Sequence, residues 1–167
     1  MTSFRLNAGG VVDRSQPLRF DWDGLTMSGL QGDTLASALL ANGVRVVGRS
    51  FKYHRPRGVM TAGPEEGGAL VTTGRGAQRV PNEKAPMVEL FDGLQASGQN
   101  AWPGVRFDIG EINDLFGRFF TAGFYYKTFM GPGRGTWAWM QFEKLIRRAA
   151  GMGTASREPD PDQYDIV

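Results

Sequence analysis

The sequence predicts an α+β fold in which one helix packs across a mixed sheet. Three observations carry that prediction: a tight hairpin near the N-terminus, a capped amphipathic helix directly after it, and two later apolar runs of strand length. In the hairpin, Leu18-Arg-Phe20-Asp-Trp22 alternates apolar and polar residues. Asp23-Gly24 is a turn pair of the primed type, and Leu25-Thr-Met27-Ser-Gly29 alternates again. The helix follows from Asp33-Thr34 as N-cap, apolar residues Leu35, Leu39 and Leu40 on one face, and Gly43 where a helix ends in the left-handed conformation. Residues 44–47 resume as a strand or extended segment.

Periodicity then disappears over residues 48–68, far longer than an ordinary connection, which marks a functional or once-functional loop. Two further strands are predicted, over residues 69–73 and 87–91, around a turn-rich stretch at 74–86. After Gly93 the pattern turns helical, with one amphipathic helix over 111–120 and a stronger one over 136–150. On the latter, Trp137, Met140, Leu145 and Ala149 share a face, and Arg147 and Arg148 suit the C-terminal dipole. Residues 124–130 between them are dense in aromatics. The organisation expected is an arm over 1–16, the α+β unit over 17–92, a helical and aromatic extension over 93–153, and a linker over 154–167.

Composition limits the chemistry. At 167 residues and 41% hydrophobic, the chain is long and apolar enough to bury a core. It has no cysteine, which removes disulfides, thiolate zinc sites, cysteine-ligated iron–sulfur clusters and a cysteine nucleophile. The lone histidine, His54, removes HExxH and two-histidine metal sites. No lysine follows a glycine, so no P-loop is present, and no serine stands in GxSxG. The Gly-rich run at 131–136 lacks the glycine spacing of a dinucleotide fingerprint. There is neither a secretory leader nor a bilayer-length apolar run, so a cytoplasmic location is the expectation. Net charge is +2, yet the cations are 15 Arg against 4 Lys, a bias toward bidentate recognition of carboxylate or phosphate.

The cations concentrate in residues 45–57, where Arg45, Arg49, Lys52, Arg55 and Arg57 interleave with Phe51, Tyr53 and His54 and no acid intervenes. Three partners suit such a stretch: single-stranded nucleic acid, an anionic cofactor or substrate, or an acidic protein surface, with structural or subunit docking ranked first. His54 has no carboxylate nearby in sequence and reads as a hydrogen-bonded structural histidine before a proton shuttle. Glu65-Glu66 reads as a pair of solvated carboxylates before an acid/base pair, and the aromatics at 124–130 as a packing plug before a flavin wall.

Five segments together resemble the N-terminal region of α subunits of heterotetrameric sarcosine oxidases. They are Asp23-Gly24, the helix with its caps over 32–44, Arg49-Ser-Phe-Lys-Tyr-His-Arg-Pro-Arg-Gly58, Asn100-Ala-Trp-Pro103, and Ala122-Gly-Phe-Tyr-Tyr-Lys-Thr-Phe-Met130. The resemblance implies a β-grasp domain of the [2Fe–2S] ferredoxin type over 17–92. Cluster-bearing relatives carry Cys-x4-Cys-x2-Cys after an Arg-Gly like Arg57-Gly58. The matching positions here are Thr61, Glu66 and Ala69, so the scaffold is expected without its cluster.

The same resemblance implies an assembly of α, β, γ and δ subunits that uses FAD, FMN and NAD. It oxidises the N-methyl group of sarcosine to give glycine, hydrogen peroxide and a one-carbon unit for tetrahydrofolate. This chain would pack against the other subunits and a downstream NAD-binding domain, bind no cofactor itself and be inactive alone. Arg49, Lys52, His54, Arg55 and Arg57 are the candidates for contact with an FMN phosphate, another anion or a subunit. The alternative is a stand-alone β-grasp module that binds acidic partners or single-stranded nucleic acid through residues 45–57.

Overall fold

The computed structural model describes residues 4–117 and 136–149. A five-stranded mixed sheet carries the fold: β1 (Asp13–Trp22), β2 (Leu25–Gln31), β5 (Leu70–Thr73), β6 (Val80–Lys84) and β7 (Gln95–Gly98), in the order β2-β1-β7-β5-β6. β1 pairs antiparallel with β2 and parallel with β7, while β5 runs antiparallel to both β6 and β7. Helix α1 (Leu35–Ala41) crosses the hairpin of β1 and β2. The result is the α+β, β-grasp arrangement that the sequence implies.

The hairpin closes as predicted, with φ of 49° at Asp23 and 81° at Gly24, both in the region a primed turn demands. Alternation along β1 drives Phe20 and Trp22 into the core. In α1, Thr34 is the N-cap and forms a reciprocal capping box with Ser37, its Oγ1 accepting the Ser37 N–H at 3.2 Å. The helix buries Leu35, Ala36, Ala38 and Leu39 against the sheet. Gly29 permits that approach: a Cβ there would stand 3.3 Å from Ala38 Cβ and collide with Leu90. Val47, Val71, Leu90, Leu94 and Val105 complete the core, each such side chain contributing roughly 1.5–3 kcal/mol by leaving water.

The N-terminal arm is tied to this core. Arg5 donates bidentately to the buried Asp33, at 3.0 and 2.5 Å, and Asp33 also accepts from Leu30 N–H and the Ser37 hydroxyl. Burial pushes the Asp33 carboxyl up, but the bonds from Arg5, Ser37 and Leu30 outweigh it and hold the group below its ordinary range.

Several expected elements differ. Residues 87–91 do alternate, with Leu90 buried, but among the described residues they find no partner strand: a 3₁₀ turn at Ala85–Met87 leads into an extended run joined to Thr34 by a single bridge at Glu89. The strands lie on either side of it, at β6 and β7. Because β7 sits between β1 and β5, the sheet continues past residue 92. Residues 44–47 form no strand; Val47 N–H reaches Arg57 O at 2.8 Å, and ladder pairing starts at Gly48. In the described part of the helix expected over 111–120, one turn of 3₁₀ (Ile109–Glu111) is followed by α2 (Ile112–Leu115), capped at Phe116; residues 118–120 lie outside the described residues. Helix α3 (Thr136–Ala149) forms with Arg147 and Arg148 in its last turn; among its residues of described burial, 139–148, Met140 and Leu145 are exposed and Ile146 is buried. The aromatic segment at 124–130 and the linker lie outside the described residues.

Candidate functional site

The aperiodic segment divides into two unlike pieces. In the first, residues 48–57 fold into a small antiparallel ribbon, β3 (Gly48–Arg49) with β4 (Pro56–Arg57). Its tip is set by Ser50, whose N–H bonds Arg55 O and whose C=O accepts the His54 N–H, both at 2.9 Å. This tight turn forces His54 to φ 54°, an uncommon conformation for a residue with a Cβ.

The ribbon docks on a downstream acidic segment of the same chain. Arg49 is buried: its Nε and Nη2 donate to Val105 O at 3.3 and 3.0 Å, its Nη1 donates to His54 O at 3.0 Å, and Nη1 lies 3.2 Å from Glu111. His54 Nδ1 lies 2.7 Å from Asp108 Oδ2. Asp108 is buried, and its Oδ1 accepts from Trp102 N–H and Gly110 N–H at 3.0 and 3.1 Å. Burial raises the Asp108 carboxyl, but the Trp102 N–H, the His54 bond and the Gly110 N–H more than offset it and keep it ionised. An ionised carboxylate can only accept, so Nδ1 is the nitrogen that carries the proton. Gly110 gives His54 its place, because a Cβ there would overlap the imidazole.

Arg55 donates to Asp114 at 2.8 Å, and Lys52 and Arg55 each stand 4.7 Å from the Tyr53 ring centroid. Arg57 is exposed, and its guanidinium makes no hydrogen bond or ion pair among the described residues. Of the five predicted contact residues, Arg49 and His54 are therefore turned inward as structural anchors, Lys52 is half-buried against Tyr53, Arg55 is shared, and Arg57 faces outward. The acidic surface that suits this basic stretch is internal, at Asp108, Glu111 and Asp114. The signal was present in the sequence as three carboxylates within 108–114, but only the fold brings them to the ribbon.

The second piece, residues 58–69, brings Thr61, Glu66 and Ala69 together around one buried carboxylate. Glu66 is 1% exposed, so the expectation of a solvated Glu65-Glu66 pair fails at this residue. Its Oε2 accepts from Met60 N–H and Thr61 N–H at 2.7 and 2.8 Å, and its Oε1 from Gly68 N–H and Ala69 N–H at 2.5 and 3.0 Å. Burial works against the charge, yet the four main-chain donors overcome it and bring the carboxyl down to about 2. Thr61 Oγ1 is buried beside it with no hydrogen-bond partner among the described residues, and Ala69 is fully buried.

A mixed sheet grasping one helix, with an irregular loop ahead of β5, defines a ferredoxin-type domain. The chain matches the family described as a 2Fe-2S iron–sulfur cluster binding domain over residues 15–101, and it belongs to that family. More particularly, it is a homologue of sarcosine oxidase α subunits. It is 59% identical over 165 residues to "Sarcosine oxidase subunit alpha" of Rhizobium meliloti (strain 1021), covering 99% of this chain and 16% of that protein. The proteins of the same name from Corynebacterium sp. strains U-96 and P-1 are 44% and 47% identical, over 54% and 42% of this chain and 10% and 8% of theirs. The chain thus spans about a sixth, or less, of the length of these relatives. Among solved structures, an L-proline dehydrogenase from P. horikoshii overlaps 55% of this chain and 17% of its own, at 23% identity and a TM-score of 0.43.

A [2Fe–2S] cluster does not fit the residues present. Its irons need four thiolate or imidazole donors, and the three matching positions offer a hydroxyl, a carboxylate already saturated by N–H groups, and a methyl. The single histidine is fixed on Asp108. Among the described residues, no group of three His, Cys, Asp or Glu side chains is arranged to hold a metal ion, and no helix is long and apolar enough to cross a membrane.

Proposed function

We propose that this chain is the N-terminal, subunit-packing part of a sarcosine oxidase α subunit and performs no chemistry alone. The observation that carries the reading is 59% identity maintained across nearly the whole chain, well beyond the cluster-domain match. In the assembled enzyme, sarcosine would be oxidised at its N-methyl group with release of glycine and hydrogen peroxide, the one-carbon unit passing to tetrahydrofolate. FAD, FMN and NAD would serve as carriers on other parts of the α, β, γ and δ assembly. Removing a hydride equivalent from an amine requires an electron acceptor that no side chain supplies, which is why the domain's role is architectural.

The ribbon's cations give this role a contact. Lys52, Arg55 and Arg57 would meet an anionic subunit face or the FMN phosphate, with Arg49 and His54 holding the ribbon in position. Peroxide release from sarcosine, measured with added FAD, FMN and NAD, should be absent for the chain alone and present for the complete enzyme. Turnover by the chain alone would refute the architectural role. In the complete enzyme, Arg55→Glu with Arg57→Glu should reduce subunit assembly or FMN content by several-fold, the more so at low salt. Unchanged assembly and flavin content would assign these charges to solvent.

A further inference from the structure

We propose that residues 60–69 form an anion cradle of main-chain N–H groups whose permanent occupant is the chain's own Glu66 carboxylate, in place of an iron–sulfur cluster. The inference stands on the loop's geometry and holds whichever enzyme the chain serves. Two pairs of consecutive N–H groups, at Met60 and Thr61 and at Gly68 and Ala69, converge on the two oxygens, one pair to each. Consecutive N–H groups aimed at one point are the arrangement by which a loop binds an anion without a cationic side chain. No cation reaches Glu66 among the described residues. Glu65 lies beside Gly63, and Lys84 of β6 donates to Pro64 O; neither bonds the Glu66 carboxylate.

A carboxylate at 1% exposure without a counter-ion is costly unless its lone pairs are filled, so the four donors and the anion require each other. The main chain closes tightly around it. A Cβ on Gly68 would stand 2.8 Å from Gly58 O and 3.2 Å from Glu66 Oε1, leaving no space for a side chain. Folding through Thr61, Glu66 and Ala69 therefore keeps a need for negative charge at the centre of the loop while replacing a removable, redox-active occupant with a covalently attached, redox-silent one. The loop no longer depends on iron supply and responds to acid instead.

The test compares Glu66→Ala and Glu66→Gln with the unchanged chain by thermal unfolding, in formate and in chloride at equal ionic strength. Alanine vacates the cradle, and glutamine keeps the shape but turns an NH2 toward two N–H donors. Both should lower the melting temperature by on the order of 10 °C. Formate at roughly 100 mM should restore part of the loss in the alanine variant, saturably, and leave the unchanged chain unaffected. A glutamine variant as stable as the original, or an alanine variant that loses nothing, overturns the proposal. If neither variant folds, or if formate gives no rescue, amide NMR of the unchanged chain decides. The four N–H signals of Met60, Thr61, Gly68 and Ala69 should shift together on acidification, with one midpoint. Independent or absent shifts would overturn the assignment.

Discussion

The two halves of the aperiodic segment solve the same problem, irregular backbone near a core, by opposite means. The ribbon of residues 48–57 is held by the side chains of Arg49, His54 and Arg55 reaching a carbonyl and two acids roughly fifty residues away in sequence. The following loop is held by one carboxylate that reads its own backbone from within. The contrast teaches that charge is not a uniform adhesive. At 59% and 44% side-chain exposure, the Arg55–Asp114 pair is bathed in water and ions, whereas Glu66 is dry and has no alternative partner.

Acid should break the comparison most strongly. The Glu66 carboxyl is depressed from 4.5 to about 2, so its contribution is complete above pH 4.5 and is lost as pH falls through about 2. The share due to Glu66 is about 3 kcal/mol across that window, measured by urea unfolding at a series of pH values as the difference from Glu66→Gln, because Asp33 and Asp108 are depressed as well. A stability that is flat between those values would mean that the N–H bonds carry no net weight. Next in size is Arg49→Lys, which trades a fork bonding two carbonyls for a single ammonium and should cost about 2 kcal/mol at any salt concentration. Asp108→Asn should cost about 1–2 kcal/mol, because an amide cannot accept all three of the bonds from Trp102, Gly110 and His54. A histidine 15N spectrum would report the loss of the Nδ1–H bond. Smallest is the Arg55–Asp114 pair: a double-mutant cycle should return about 0.5 kcal/mol or less, vanishing in high salt. A large, salt-independent coupling there would erase the distinction between the two halves.

What was legible in the sequence was whatever local chemistry dictates. The Asp23-Gly24 turn, the Thr34 cap, the helix stop at Gly43 and the α+β class were all readable because each rests on neighbouring residues. β6 was not, since Val80-Pro-Asn-Glu-Lys84 carries a proline and an asparagine at φ 63°, tolerated because this strand lies at the sheet edge. β7 was hidden for the opposite reason. Gln95-Ala-Ser-Gly98 is small where the core is crowded, and a Cβ on Gly98 would collide with Val105. Conversely, residues 87–91 alternate as a strand should, but alternation reports only which side faces inward, not whether a neighbour is there to pair. At the candidate site, the sequence singled out the ribbon's residues but not the partners they meet in the fold. Asp108, Glu111 and Asp114 meet the ribbon only through tertiary structure, and a buried glutamate in a Gly/Pro loop looks, in sequence, like a solvated one.

The parallel pairing of β1 with β7 also sets an order of events during synthesis. β1, β2 and α1 leave the ribosome early and can assemble a hairpin and helix from local contacts within microseconds. The inner edge of β1, whose amides at Asp21 and Asp23 bond Leu94 O and Ala96 O, must wait until Gln95–Gly98 has been translated. At roughly 5–20 residues per second, that interval lasts several seconds, during which an unpaired strand edge stays available to another nascent chain. The charged residues Arg19, Asp21 and Asp23 along that stretch of β1 and its turn are of the kind that discourages such edge pairing.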